Sequence, residues 1–193
     1  MHHFEKALIA QCAPTLAGLK TANLFRHVFA GNTACARHTV RRYNAILKGK
    51  GLALLLLRQS AASCLVLVYR PALLRRDLRR PESIALLREG GYLRPENMHA
   101  ALRELCRRIR CGQGFPHEVG LFLGYPIADV RGFIRHNGRG YCLCGCWKVY
   151  QNPEEAKRTF YEGIALGCPA MGAEELEDTE FLPMYESIKD ALQ

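Results

Sequence analysis

Two apolar runs in the first half of the chain predict a pair of β-strands. Residues 52–58 and 64–70 are hydrophobic at nearly every position, and the segment 59–63 that joins them is short and rich in small residues. Apolar runs with such a connection are typical of a β-hairpin. A strand with one solvated face alternates between apolar and polar residues, and these two runs do not. The pattern therefore predicts a hairpin that is covered on both faces.

Most other segments carry apolar residues at helical spacing. Pro14 fits the first turn of a helix that runs to about residue 30, and Leu24 and Val28 lie on its predicted apolar face. Further helices are predicted over residues 34–48, after Pro71, from Pro81 to Gly90, over 95–110, over 117–123, from Pro126 and from Asn152.

A third strand is predicted over residues 141–150. Cys142, Cys144 and Cys146 alternate there, so a regular strand would place the three thiols on one face together with Lys148 and Tyr150. Thiols two residues apart on a strand are poorly spaced for a relaxed disulfide, and zinc motifs usually use wider spacing in a loop. We therefore expect packed thiols and no metal site. The alternative is that Gly145 bends the strand enough for two thiolates to share a metal ion with His117 or Cys111.

These elements predict one α+β domain that spans residues 1–193, mostly helical around a small, mainly antiparallel sheet of about three strands. A chain of 193 residues is long enough for one well-buried core. Residues 170–181 are expected to form an acidic, mobile connection to a short C-terminal helix. We find no internal repeat.

Charge and cysteine content narrow the class of protein. The formal net charge is +9, with arginines concentrated in residues 70–110 and acidic residues in 174–180. The nine cysteines are an odd number and no secretion signal is evident, so reduced thiols are expected. The longest apolar runs are far shorter than the roughly 20 residues of a membrane-spanning helix. These properties predict a cytoplasmic protein.

Several short motifs of the chain are distinctive: residues 12–18 (CAPTLAG) with Lys20, residues 115–126 (FPHEVGLFLGYP), residues 129–130 and 132–134, and Gly145 with residues 147–150 (WKVY). Together they resemble an uncharacterised bacterial family, the domain of unknown function DUF3793. The resemblance covers nearly the whole chain. It implies a cytosolic protein from bacteria, mostly anaerobes, and it carries no activity or cofactor with it.

The first candidate for chemistry is Cys12, which precedes the helix predicted to begin near Pro14. A helix N-terminus favours the thiolate and makes a cysteine a better nucleophile. Lys20 would follow about two turns later. The alternative is a packed cysteine with Lys20 on the surface.

His117 and Glu118 form the second candidate, in the first turn of an otherwise apolar short helix. The imidazole suits a general base, a metal ligand or a hydrogen-bonded structural residue. The Glu118 carboxylate suits catalysis or a simple capping charge. Adjacent helical residues diverge by about 100°, so the two side chains cannot both face one pocket fully.

The third candidate is the strand end formed by Trp147, Lys148 and Tyr150, which precedes a helix start at Asn152. Helix-end amides, a lysine and aromatic faces suit a flat anionic ligand such as a nucleotide or a flavin phosphate. Lys20 completes the predicted ligand-binding set. The chain contains neither a dinucleotide-binding glycine motif nor a P-loop, so the cofactor class stays open.

Three functions follow from these candidates. The leading hypothesis is a pocket for an anionic small molecule or cofactor. A second is a cysteine-dependent enzyme in which Cys12 is the nucleophile and His117 its base. A third is a basic module that binds nucleic acid or an acidic protein through residues 70–110, which sparse aromatic interleaving disfavours. The oligomeric state is not predicted.

Overall fold

A computed structural model describes residues 3–29, 34–60, 63–112 and 114–165 of the chain. It begins with helix α1 (His3–Ala17), and strand β1 (Ala22–Val28) follows. The helix predicted from Pro14 to about residue 30 is therefore wrong. Pro14 lies inside α1, and Gly18 follows the helix with a φ of +89° that an L side chain rarely adopts.

The main sheet is antiparallel and has three strands. Strands β2 (Ala53–Gln59) and β3 (Ser63–Tyr69) form the hairpin that the apolar runs predict. β1 pairs with the other edge of β3, so the order is β1-β3-β2 and Tyr69 lies opposite both Ala22 and Ala53. The prediction of a small antiparallel sheet of three strands is confirmed, although its third strand lies where a helix was expected.

Both faces of this sheet are covered, as the continuous hydrophobicity of the hairpin predicts. On one face, Val66 and Val68 of β3 pack in a core with α1 and helix α2 (Ala34–Leu47). On the other face, Leu65 and Leu67 pack against the helices that follow the sheet in the chain. Every residue of β3 is buried.

The remaining helices begin and end close to the residues at which the sequence predicts helix starts and stops. Proline begins several of them, and Asn97 accepts a hydrogen bond from the amide of Ala100 as the N-cap of α5. Their bounds are α3 Pro71–Leu78, α4 Pro81–Glu89, α5 Met98–Cys111, α6 Val119–Phe122, α7 Ile127–His136 and α8 Pro153–Ala165. The α+β class, mostly helical, is confirmed.

The strand predicted over residues 141–150 is wrong in form. Two short strands, β4 (Leu143–Cys144) and β5 (Lys148–Val149), pair as a separate antiparallel hairpin. The chain turns at Gly145, where only glycine fits, because the ring of Phe160 from α8 occupies the space that a Cβ atom would need. The three thiols therefore do not share one face of a regular strand.

The acidic connection and the C-terminal helix predicted after Gly167 lie outside the described residues. None of the described helices is both long and apolar enough to cross a membrane.

Candidate functional site

Three turns that are remote in sequence bring a lysine and two aromatic rings together. Lys20 lies between α1 and β1, Tyr125 between α6 and α7, and Trp147 between β4 and β5. The Nζ atom of Lys20 lies over the Tyr125 ring, 4.9 Å from its centroid. The Tyr125 and Trp147 rings are stacked, with centroids 5.1 Å apart and an interplanar angle of 27°. We call these three residues the Lys20 site.

A close contact between two turns sets the position of Tyr125. The preceding Gly124 has a φ of +79°, and a Cβ atom there would lie 2.8 Å from the Cβ of Thr21. The buried Thr21 hydroxyl in turn donates to the carboxylate of Asp77 on α3. A glycine at position 124 thus lets the two turns approach closely enough for Lys20 to reach the Tyr125 ring.

A buried carboxylate fixes Trp147. Asp129, in the first turn of α7, is 3% exposed and accepts a 2.7 Å hydrogen bond from Nε1 of Trp147. Its other oxygen accepts hydrogen bonds from the backbone amides of Tyr150 and Gln151, at 2.8 and 3.1 Å. Because a buried carboxylate needs such donors, Asp129 joins α7 to the hairpin and orients the indole.

Further contacts hold the two rings in place. The hydroxyl of Tyr125 donates to the carbonyl of Cys146, at 3.1 Å. Trp147 also packs edge-to-face on Phe160, with ring centroids 4.6 Å apart. Both rings of the Lys20 site are therefore held by hydrogen bonds and packing from more than one element.

The charge at the site comes from Lys20. Its side chain is half-buried, and no carboxylate of the described residues lies within ion-pair distance of its Nζ atom. A cation over an aromatic face gains about 0.5–2 kcal/mol from the ring quadrupole. The ammonium group can therefore still donate hydrogen bonds to an anion.

The other two predicted ligand-binding residues, Lys148 and Tyr150, contact a different part of the structure. Nζ of Lys148 lies 4.4 Å from the Tyr141 ring centroid and donates to the carbonyl of Gly138. The Tyr150 ring stacks on His136, with centroids 5.8 Å apart. Of the four, Lys20 and Trp147 both contact Tyr125, Lys148 reaches the segment between α7 and β4, and the Tyr150 ring packs against α7.

Cys12 does not lie at a helix N-terminus, so that part of the prediction is wrong. It lies in the C-terminal half of α1, away from the helix N-terminus that would favour a thiolate. Its side chain is fully buried in the core between α1, α2 and the sheet, together with Phe4 and Leu8. The thiol is a packed residue of the core, the alternative that the sequence left open.

Cys12 and His117 belong to opposite sides of the main sheet. Cys12 packs in the core on the face of Val66, whereas the helix that follows His117 packs in the core on the face of Leu67. A nucleophile and its base must be within hydrogen-bonding reach. The arrangement therefore offers no support for a Cys12–His117 pair.

The imidazole of His117 packs against the Phe133 ring of α7, with centroids 4.9 Å apart. Burial lowers the pKa of His117 below its ordinary value of 6.5, and the negative charge of Glu118 offsets part of that effect. The fold therefore favours the neutral imidazole.

A pH-dependent stability follows from this lowered pKa. Below pH 6.5 the unfolded chain binds a proton at His117 more readily than the folded chain does. We expect the free energy of unfolding to fall as the pH drops through this range, and His117→Gln to reduce that fall. Urea unfolding at about pH 7.5 and about pH 5.5 measures it. His99→Gln, at an exposed position on α5, is the control, and an equal pH response in both variants would contradict the prediction.

His117 and Glu118 precede α6 instead of lying in its first turn, so that part of the prediction is wrong. Glu118 occupies the N-cap position, and its side chain belongs to an ionic network. It makes no side-chain capping hydrogen bond to α6. Its Oε1 accepts hydrogen bonds from Arg108, at 3.0 Å, and from the hydroxyl of Tyr92, at 3.1 Å. Arg108 also binds Glu104 on its own helix, at 2.8 Å, and stacks over the Tyr92 ring. Hydrogen bonds from Arg107 and then Arg108 lower the pKa of Glu104 to about 2, although burial opposes them.

Several arginines of the basic segment 70–110 are built into the fold. Arg70 donates to the carbonyls of Thr15 and Leu16, which satisfies acceptors at the end of α1. Arg110 donates to carbonyls of the edge strand β2, where the register shifts at a bulge. Arg70 and Arg110 therefore stabilise a helix end and a sheet edge.

The described residues contain no group of three or more histidine, cysteine or acidic side chains placed to hold a metal ion. The eight cysteines among them are thiols rather than disulfides, and Cys168 lies outside the described residues.

Tyr125 and Asp129, which link the three turns, lie within the family motifs, but the sequence did not mark either of them as a site residue. One signal for Asp129 was available, since it is the only acidic residue between Glu118 and Glu154. An isolated acid in an otherwise apolar and basic stretch needs buried donors or solvent. Tyr125 carried no signal beyond its place in the motif 115–126.

Comparison with known proteins gives one match. A family model described as "Protein of unknown function (DUF3793)" matches residues 8–165, which include all three turns of the Lys20 site. No curated protein and no solved structure matches the chain.

Proposed function

We propose that this chain, which belongs to the DUF3793 family, is a bacterial cytoplasmic protein that binds a flat, anionic small molecule at the Lys20 site. One observation carries the proposal. The ammonium of Lys20 lies 4.9 Å from the Tyr125 ring centroid, and that ring is stacked on Trp147. A positive donor beside two aromatic rings suits a ligand with a planar ring and a phosphate or carboxylate.

Each residue has a distinct part in this proposal. Lys20 supplies a charge-assisted hydrogen bond to the anionic group, and Tyr125 and Trp147 supply apolar surface for a planar ring. Asp129 holds Trp147 through the indole nitrogen, so the wall of the site is arranged before the ligand arrives. Such preorganisation lowers the entropic cost of binding. The proposal assigns no reaction step to Cys12 and His117, because they lie towards opposite faces of the sheet.

Trp147 makes the proposal directly testable, because it is the only tryptophan of the chain. We expect FMN or ADP to change its fluorescence in a saturable way. We expect Lys20→Met to weaken the better of the two ligands by roughly 10- to 100-fold, since a hydrogen bond to a charged group contributes about 1.5–3 kcal/mol. Methionine keeps most of the aliphatic stem that packs beside Tyr125.

Lys6→Met is the matched control, because Lys6 is exposed on α1 and the substitution removes the same charge. It should bind as the unmodified chain does. Circular dichroism melting of each variant checks that the fold is intact. Equal affinity in the Lys20 and Lys6 variants, or no saturable change with either probe, would refute binding at this site.

A further inference from the structure

A second cationic surface lies at the end of α7 and has no part in the Lys20 site. It consists of Arg135, His136, Arg139, Tyr141 and Lys148, and we call it the α7 surface. Arg135, His136 and Arg139 are exposed, whereas Tyr141 and Lys148 are half-buried. These residues belong to α7, the turn after it and the small hairpin, so the fold assembles a surface from three elements.

Positive charges and aromatic rings alternate across the α7 surface. Nζ of Lys148 lies over the Tyr141 ring, 4.4 Å from its centroid. The exposed imidazole of His136 is stacked on the Tyr150 ring, with an interplanar angle of 17°. The exposed Arg135 and Arg139 flank His136 in sequence. In the basic segment 70–110, by contrast, the guanidinium that stacks on a ring, Arg108 over Tyr92, is paired with Glu104 and Glu118.

The charge of the α7 surface is not neutralised by neighbours in its own segment. Residues 130–153 contain no aspartate or glutamate. The preceding acid, Asp129, is turned inward to the indole and to two amides, and the following one, Glu154, pairs with Lys157. Among the described residues, no carboxylate forms an ion pair with Arg135, Arg139 or Lys148.

We propose that the α7 surface binds single-stranded nucleic acid. Arg135, Arg139 and Lys148 contact backbone phosphates, and unpaired bases stack on His136 and Tyr141. Cations that follow a backbone beside rings that accept bases are the features by which proteins bind single strands without sequence preference. A duplex presents no free base faces to these rings, which favours a single strand.

The test measures fluorescence anisotropy of a labelled mixed-sequence 20-mer of DNA or RNA with the full chain. We expect binding at about 20 mM salt that weakens steeply as salt rises. Arg135→Gln with Arg139→Gln should weaken binding roughly tenfold and reduce the slope of log K against log salt by about 1.4, which is 0.7 for each lost phosphate contact. His136→Ala should weaken binding roughly fivefold, because it removes a stacking face.

The control is Arg75→Gln with Arg79→Gln, which removes two exposed arginines from the α3 region and changes the net charge equally. It should change the affinity less than about twofold if the α7 surface is the site. Three outcomes would overturn the proposal. These are no binding at low salt, an equal loss in both double variants, or a blunt-ended duplex that binds as tightly as the single strand. Lys20→Met should leave this binding unchanged, so the test does not depend on the Lys20 site.

Discussion

We expect Asp129→Ala to lower the free energy of unfolding by about 3–5 kcal/mol. The substitution leaves the indole Nε1 of Trp147 and the amides of Tyr150 and Gln151 without the acceptor that they share. A buried donor that loses its partner costs about 1–3 kcal/mol. Small domains are stable by only about 5–15 kcal/mol, so this loss is a large share of the total. Urea unfolding followed by circular dichroism measures it.

Two further variants separate the cause from a general effect of losing an acid. Asp129→Asn keeps one acceptor oxygen at nearly the same volume, so we expect it to be destabilised less than Asp129→Ala. Glu89→Ala removes an exposed carboxylate at the end of α4 and should change the stability by less than about 0.5 kcal/mol. If Asp129→Ala costs no more than Glu89→Ala, Asp129 does not hold the hairpin to α7.

The local signals in the sequence were sufficient for most of the fold. The β2–β3 hairpin follows from two adjacent apolar runs, and its partners lie close in the chain. Helices α3 and α4 begin at Pro71 and Pro81, where a missing amide has no cost in the first turn. In each case the information lies within a few residues of the element.

Strand β1 could not be found in this way, because its partner is far along the chain. Ala22 pairs with Tyr69, and burial on both faces removes the alternation that identifies a strand. The apolar positions then also fit a helix that follows Pro14. This one error carried over to Cys12, because a helix that begins near Pro14 places the thiol at its N-terminus instead of in its C-terminal half.

The candidate site also combines residues that the local sequence identifies with a contact that it does not. Lys20 and Trp147 stand out by residue type and by the motifs that contain them, and the sequence names both. Their meeting depends on Tyr125, and the position of Tyr125 depends on the contact between Gly124 and Thr21. A contact between residues that are about one hundred positions apart has no local pattern, so only the fold reveals it.

We expect Gly124→Ala to lower the free energy of unfolding by about 2–4 kcal/mol and to weaken ligand binding at the Lys20 site. The φ of +79° at this position costs an alanine about 1 kcal/mol. The added methyl would also lie 2.8 Å from the Cβ of Thr21, and overpacking of this kind costs about 1–3 kcal/mol. Thr21 cannot move away freely, because its hydroxyl is bound to Asp77. The two turns must separate, which draws the Tyr125 ring away from Lys20.

Gly140→Ala is the control that separates the cost of the Gly124–Thr21 contact from the cost of the positive φ. Gly140 also has a positive φ, +67°, but a Cβ atom there would meet no atom within 4 Å. It should therefore cost only the conformational part, about 1 kcal/mol, and leave the fluorescence response of Trp147 to FMN unchanged. Urea unfolding and FMN titration of both variants test the difference. An equal loss of stability in the two variants, with unaltered FMN binding in both, would show that the Gly124–Thr21 contact does not position Tyr125.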